Sequence, residues 1–152
     1  MIVADTSAIM AILLREKRGV EFARQMEERG PVLVSAGNAI ELATVSSRQA
    51  GLFDAAMAFL KQPYVQVEPV DAHQVAVAAE AYRRFGKGHH SAKLNFGDVF
   101  AYALAQSRGL PLLFQGNDFA KTDVTPAAVS ADRRSKQRLG DEPSIIHQRS
   151  MS

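Results

Sequence analysis

The chain predicts an α/β domain in three layers, with a central, mostly parallel sheet of four to five strands covered by helices on both faces. Two observations carry this expectation. Short apolar runs alternate along the chain with longer segments whose apolar positions recur at helical spacing, the pattern of βαβ units. Four acids, Asp5, Glu41, Asp98 and Asp118, each stand where a strand-like run hands over to a helix or turn. In a parallel sheet those junctions share the carboxyl edge, where open sheets bind their ligands.

Taken in order, residues 2–4 read as a short buried strand, followed by a helix over 7–14 with Ile9, Met10, Ile12, Leu13 and Leu14 nearly all apolar. Residues 20–29 place Val20, Phe22, Ala23 and Met26 on one side and Arg24, Glu27 and Glu28 on the other, and Gly30-Pro31 stops the helix. Residues 32–34 are the second strand. A helix over 39–49 follows and closes near Gly51, and another over 53–60 ends before Pro63. Residues 65–70 alternate as a third strand would. Asp71 then caps a helix reaching about Phe85, with Val75, Ala78, Ala79 and Tyr82 at helical spacing. Residues 86–91 form an exposed loop. Asn95 opens a helix through Ser107, apolar at Val99, Phe100, Ala103 and Leu104 and ended by Gly109. Residues 110–114 are the fourth strand, and 124–128 a short candidate fifth.

The length of 152 residues, the 47% hydrophobic and 22% charged content suit one soluble domain with a sizeable core. The absence of cysteine excludes disulfides, thiolate metal sites and thiol nucleophiles. No secretory leader pattern opens the chain and no apolar stretch approaches the ~20 residues of a membrane helix, so a cytoplasmic protein without a membrane partner is expected. The net charge of +2 is tail charge. Arg133, Arg134, Lys136, Arg138 and Arg149 outnumber Asp132, Asp141 and Glu142, while acids and bases balance before Ser130. The expected organisation is therefore a domain over 1–129 and a basic, disordered tail over 130–152.

Each acid has a local structural role open to it. Asn38-x-x-Glu41 and Asn95-x-x-Asp98 both fit capping boxes, Asp5 can cap the helix that follows it, and Asp118 can cap a turn. Jointly, four carboxylates at one sheet edge, with no Lys or Arg in those motifs, repel one another unless a hard divalent cation sits among them. The two roles cooperate, because helix N-termini help keep the carboxylates ionised. A site of carboxylates alone suggests phosphate chemistry.

The order of these motifs resembles the PIN-domain ribonucleases, and within them the VapC toxins of bacterial toxin-antitoxin pairs. The resemblance rests on Val3-Ala4-Asp5-Thr6-Ser7-Ala8, on Ser35 with Glu41, on Gly86-Lys87-Gly88-His89, on Leu94-Asn95-Phe96-Gly97-Asp98-Val99-Phe100-Ala101-Tyr102-Ala103-Leu104-Ala105, and on Leu112-Leu113-Phe114-Gln115-Gly116-Asn117-Asp118-Phe119 with Thr122-Asp123. It covers about residues 1–124. It implies a PIN-like fold and a Mg²⁺- or Mn²⁺-dependent endoribonuclease that cuts tRNA or rRNA and inhibits translation. Asp5, Glu41, Asp98 and Asp118 carry over as the catalytic acids, with Asp5, Asp98 and Asp118 on the metal. Many relatives place an acid where this chain has Gly116, so Asp118, directly after the Gly116-Asn117 turn, is preferred over Asp123 as the fourth acid. A small VapB-like antitoxin and a second copy of the chain are the implied partners. The antitoxin is expected in a groove of Ile9, Ile12, Leu13, Phe22, Leu42, Val45, Leu52, Phe53 and Met57, and self-pairing on Phe100 and Leu104.

Around the acids, Thr6, Ser7 and Asn117 are either caps and turn formers or contacts to the phosphate. Lys87, His89 and Lys93 lie on one loop and suit contact with an RNA backbone better than a metal site, since the adjacent His89 and His90 do not point at one ion. Hydrolysis by activated water would leave a 5′ phosphate and a 3′ hydroxyl. A Mg²⁺-dependent phosphatase or phosphotransferase using Asp5 as nucleophile is the rival enzyme, but it wants a second acid where Ser7 stands. A non-catalytic RNA-binding module on the same fold is the rival outside enzymes.

Overall fold

The computed structural model describes residues 1–127. The expected tail, 130–152, lies outside the described residues. β1 (Ile2–Ala4), β2 (Val32–Ser35), β3 (Val65–Glu68) and β4 (Leu112–Leu113) form one parallel sheet in the order β3-β2-β1-β4. β1 lies inside, with Val3 opposite both Leu33 and Leu112. Its three residues are wholly buried, as a strand covered on both faces requires.

Strand periodicity divides the core in two. Ile2, Ala4, Val32 and Val34 face α1 (Thr6–Leu13), α2 (Gly19–Arg29) and α4 (Leu52–Leu60), packing with Ile9, Phe22, Met26, Ala56 and Phe59, and with Leu42 of α3 (Ala36–Ser46). Val3, Leu33 and Leu112 face the other way, onto Ala81 and Phe85 of α5 (Ala72–Phe85) and Ala101, Leu104 and Ala105 of α6 (Asp98–Arg108). The result is the expected three-layer α/β/α arrangement.

Most helices begin and end on the expected signals. Asp71 caps α5, its Oδ1 accepting from the Gln74 N–H at 2.8 Å. Gly109 takes the left-handed conformation at the end of α6, with φ of 61°. The start of α3 is a correction. Ser35 is the cap, its hydroxyl accepting from the Gly37 N–H at 3.3 Å, so Asn38 and Glu41 lie inside the helix and form no capping box. β4 is also shorter than expected. Pro111 offers no N–H, and the chain turns away at Gln115 and Gly116, leaving two paired residues. The candidate fifth strand is reduced to one parallel bridge between Leu112 and Pro126.

Burial corrects two expected surfaces. Ile9, Phe22, Leu42 and Leu52 belong to the core and do not line an open groove, whereas Leu14 and Phe53 on the same side are exposed. Leu104 is fully buried too, while Phe100 lines an apolar groove of about 460 Å³ between α5 and α6 with Val70, Val75, Tyr82 and Phe96. Among the described residues no helix is long and apolar enough to cross a membrane.

Candidate active site

Asp5 follows β1 directly, and its N–H donates to the Leu113 carbonyl at 3.0 Å, which fixes it between β1 and β4. Its Oδ2 accepts from the Ser7 N–H at 3.0 Å and caps α1 as expected. Its Oδ1 is buried without a hydrogen-bond partner. Asp98 opens α6 in a reciprocal box: its Oδ2 accepts from the Asn95 N–H, and its own N–H donates to Asn95 Oδ1, both at 2.9 Å. Glu41 comes from α3, and its carboxylate lies against the backbone of Gly97, the residue before Asp98. A methyl group built on Gly97 would fall 1.6 Å from Glu41 Oε2.

The fourth acid comes from the loop after β4. The Gln115 N–H donates to Ser7 Oγ at 3.0 Å, Gly116 turns the chain with φ of 95°, and Asn117 and Asp118 stand exposed ahead of a short 3₁₀ turn over Phe119–Lys121 anchored by buried Phe119. Asp118 makes no side-chain capping bond, contrary to the turn-cap expectation.

These placements bring the acids into one electrostatic neighbourhood. Burial raises the Asp98 carboxyl to about 7, and the charges of Asp5, Glu41 and Asp118 push in the same direction, against the Asn95 N–H that lowers it. Burial likewise raises Asp5 to about 6, with Glu41 adding to the rise and the hydrogen bonds from Ser7 opposing it. Carboxylates held this way favour a proton or a cation over open ionisation. As they stand, no three acidic or histidine side chains among the described residues close upon a single point. Even so, an unpartnered buried carboxylate oxygen on Asp5, raised neighbouring acids and a donor set of oxygens alone fit a hard divalent ion such as Mg²⁺.

The surrounding residues divide. Thr6 is buried, and its hydroxyl donates to the Asn38 carbonyl at 3.4 Å. Ser7 ties α1 to the loop after β4. Lys87, His89 and Lys93 are exposed on a separate loop, closed where Lys87 N–H donates to the Leu94 carbonyl at 2.8 Å. Asp123 is engaged elsewhere, accepting from Tyr102 Oη at 2.5 Å and pairing with Arg84 at 3.5 Å. The residue that sequence reasoning misjudged is Asn38. It is fully buried, and its Nδ2 donates to the Gly97 carbonyl at 2.9 Å, joining the helix of Glu41 to the loop of Asp98. No local pattern could reveal that bond, because its ends are 59 residues apart in the chain.

The PIN domain matches residues 2–124, a span that contains all four acids. The chain belongs to the PIN-domain family of VapC ribonucleases. It is 44% identical over 134 residues to ribonuclease VapC42 of Mycobacterium tuberculosis, an alignment covering 84% of this chain and 99% of that protein. Among solved structures, the M. tuberculosis VapC20 toxin, described as cleaving the sarcin-ricin loop, superposes with a TM-score of 0.69 at 23% identity, covering 84% of this chain and 98% of that one. A toxin-antitoxin complex from Klebsiella pneumoniae gives a TM-score of 0.63 at 18% identity, with 84% and 98% covered. These likenesses agree with the PIN-like layer order. As a VapC-family member the chain is an endoribonuclease of the toxin class, and the phosphatase and non-catalytic readings are not favoured.

Proposed function

We propose that this chain is a Mg²⁺- or Mn²⁺-dependent toxin that hydrolyses tRNA or rRNA in the cytoplasm and so halts translation. The observation that carries the reading is the buried, unpartnered Asp5 Oδ1 at the end of β1, together with the Glu41 carboxylate set against Gly97 beside Asp98. Asp5, Asp98 and Asp118 would hold the ion, which supplies positive charge for the scissile phosphate and acidity for the attacking water. Glu41 sets the charge beside Asp98. Thr6 and Ser7 shape the floor of the site through their bonds to α3 and to Gln115, and Asn117 faces the phosphate. Lys87, His89 and Lys93 grip the RNA backbone outside the reacting bond.

The nuclease unit is 1–129, with 130–152 as an accessory basic segment. A VapB-like antitoxin covers the side bearing exposed Leu14 and Phe53, and a second copy pairs across the α5/α6 groove, where Phe96 is 77% exposed. The experiment is incubation of purified protein with total cellular RNA and Mg²⁺, then sequencing of the new 5′ ends. Phosphorylated 5′ ends at a discrete site, abolished by EDTA and by Asp98→Asn, support the reading. Cyclic 3′ phosphates, or cleavage indifferent to EDTA, overturn it.

A further inference from the structure

α3 meets the loop before α6 with two residues from one of its faces. Asn38 and Glu41 are three positions apart and so lie side by side on the helix. Asn38 takes the Gly97 carbonyl as its acceptor at 2.9 Å, and Thr6 Oγ1 in turn donates to the Asn38 carbonyl at 3.4 Å. Glu41 occupies the space where a side chain on Gly97 would be, since a methyl group there would meet Oε2 at 1.6 Å and Cδ at 2.5 Å. The backbone gives glycine no reason to be here. Gly97 has φ of −68° and ψ of −38°, a helical conformation that any residue adopts.

We propose that Gly97 is a positioning residue: its missing side chain lets the Glu41 carboxylate rest over the start of α6 beside Asp98, while the buried Asn38 amide holds the Gly97 carbonyl in place beneath it. The consequence for metal and RNA rests on the acid-site reading above. The packing itself does not. Because the three nearest atoms all belong to the end of the flexible Glu41 side chain, Gly97→Ala displaces the Glu41 carboxylate and leaves the fold intact. Glycine at this place therefore sets where one acid stands.

The test is a double-mutant cycle of wild type, G97A, E41A and G97A/E41A, read by thermal unfolding in EDTA, by calorimetric titration with Mn²⁺ and by RNA cleavage. In the E41A background the three atoms nearest the new methyl are gone, and alanine suits the helical backbone better than glycine, so G97A raises the unfolding midpoint by about 2–4 °C. In the presence of Glu41 the same substitution lowers it. Mn²⁺ affinity falls about tenfold or more in G97A, and G97A has no further effect once Glu41 is gone. An equal change in midpoint in both backgrounds would overturn the proposal, as would wild-type Mn²⁺ affinity in a folded G97A. If the wild type neither binds Mn²⁺ nor cleaves RNA while the midpoints still move in opposite directions, the acid-site reading fails and the placement of Glu41 by Gly97 stands. If the wild type cleaves and G97A equals it, the placement fails and the acid-site reading stands.

Discussion

Replacing Asp5 with Asn removes one charge from the acid cluster with little change of shape, and its effect on stability can be worked out before any activity is measured. Burial raises the Asp5 carboxyl from 3.8 to about 6. A raised acid favours the fold while protonated: that contribution is complete below 3.8 and is lost as pH rises through about 6. At about 1.36 kcal/mol per pKa unit, the ionised side chain disfavours the metal-free fold by about 3 kcal/mol at pH 8. Asn keeps an oxygen for the Ser7 N–H, so most of that penalty should disappear in the mutant. For a chain of this size the midpoint should rise by roughly 5–10 °C. The assay is circular dichroism on heating, in EDTA, at pH 8 and again near pH 4, where both proteins are largely neutral at this position and the gap should close. With Mg²⁺ at about a thousandfold excess over its Kd, the wild type gains about 4.1 kcal/mol and the mutant little, so the order reverses. A mutant no more stable than wild type at pH 8 in EDTA would refute the burial argument, and equal gains from Mg²⁺ would remove Asp5 from the metal site.

Asp98→Asn, which keeps the box with Asn95 while removing the charge, should abolish RNA cleavage in a protein that still folds; wild-type rates with Mg²⁺ would dismiss the site. Asp71→Ala deletes the cap of α5, and should lower unfolding free energy by about 1 kcal/mol in a protein that still cleaves RNA. Phe22→Ala, at a fully buried position under the sheet, should lower it by about 3–5 kcal/mol in a urea titration, and a loss below 1 kcal/mol would show that α2 packs loosely. Truncation after Ser130 should preserve metal-dependent cleavage and weaken RNA binding chiefly at low salt, where phosphate contacts count most; loss of folding would show the segment to be integral.

How much was legible depended on how far each signal reached along the chain. β1, β2 and the helix capped by Asp71 were readable because runs such as Ile2-Val3-Ala4 and the Asp71–Gln74 spacing carry their own physics within a few residues. The layer order followed from the same alternation. Asn-x-x-Glu matches a capping box locally, whereas Ser35 supplies the cap and Asn38 bonds the Gly97 carbonyl before α6. Amphipathic spacing shows which side of a helix is apolar but not what covers it, so Phe22 and Leu42 read as groove residues while both are core. Asp5 follows β1 and Asp118 follows β4 as a strand-end reading expects, whereas Glu41 lies inside α3 and Asp98 opens α6 with no sheet strand directly before it. Their common neighbourhood needed the parallel register that brings Val3 beside Leu112.

That register also sets a schedule for synthesis. β1 and β4 are neighbours in the sheet but are made near opposite ends of the described chain, and Asp5 waits on the Leu113 carbonyl for its backbone bond. A ribosome adding about 5–20 residues per second exposes β1, β2 and β3 with their covering helices well before α6 and β4 emerge. The early half can bury Phe22 and Ile9 on its own side of the sheet, yet it holds Asp5 and Glu41 without Asp98 or Asp118. A nascent or prematurely terminated chain that stops before Asp98 therefore lacks the α6 and β4 share of the second core and holds only two of the four acids. If the four acids form the cutting site as proposed, the order in which the strands are joined delays RNA cleavage until the chain is nearly finished.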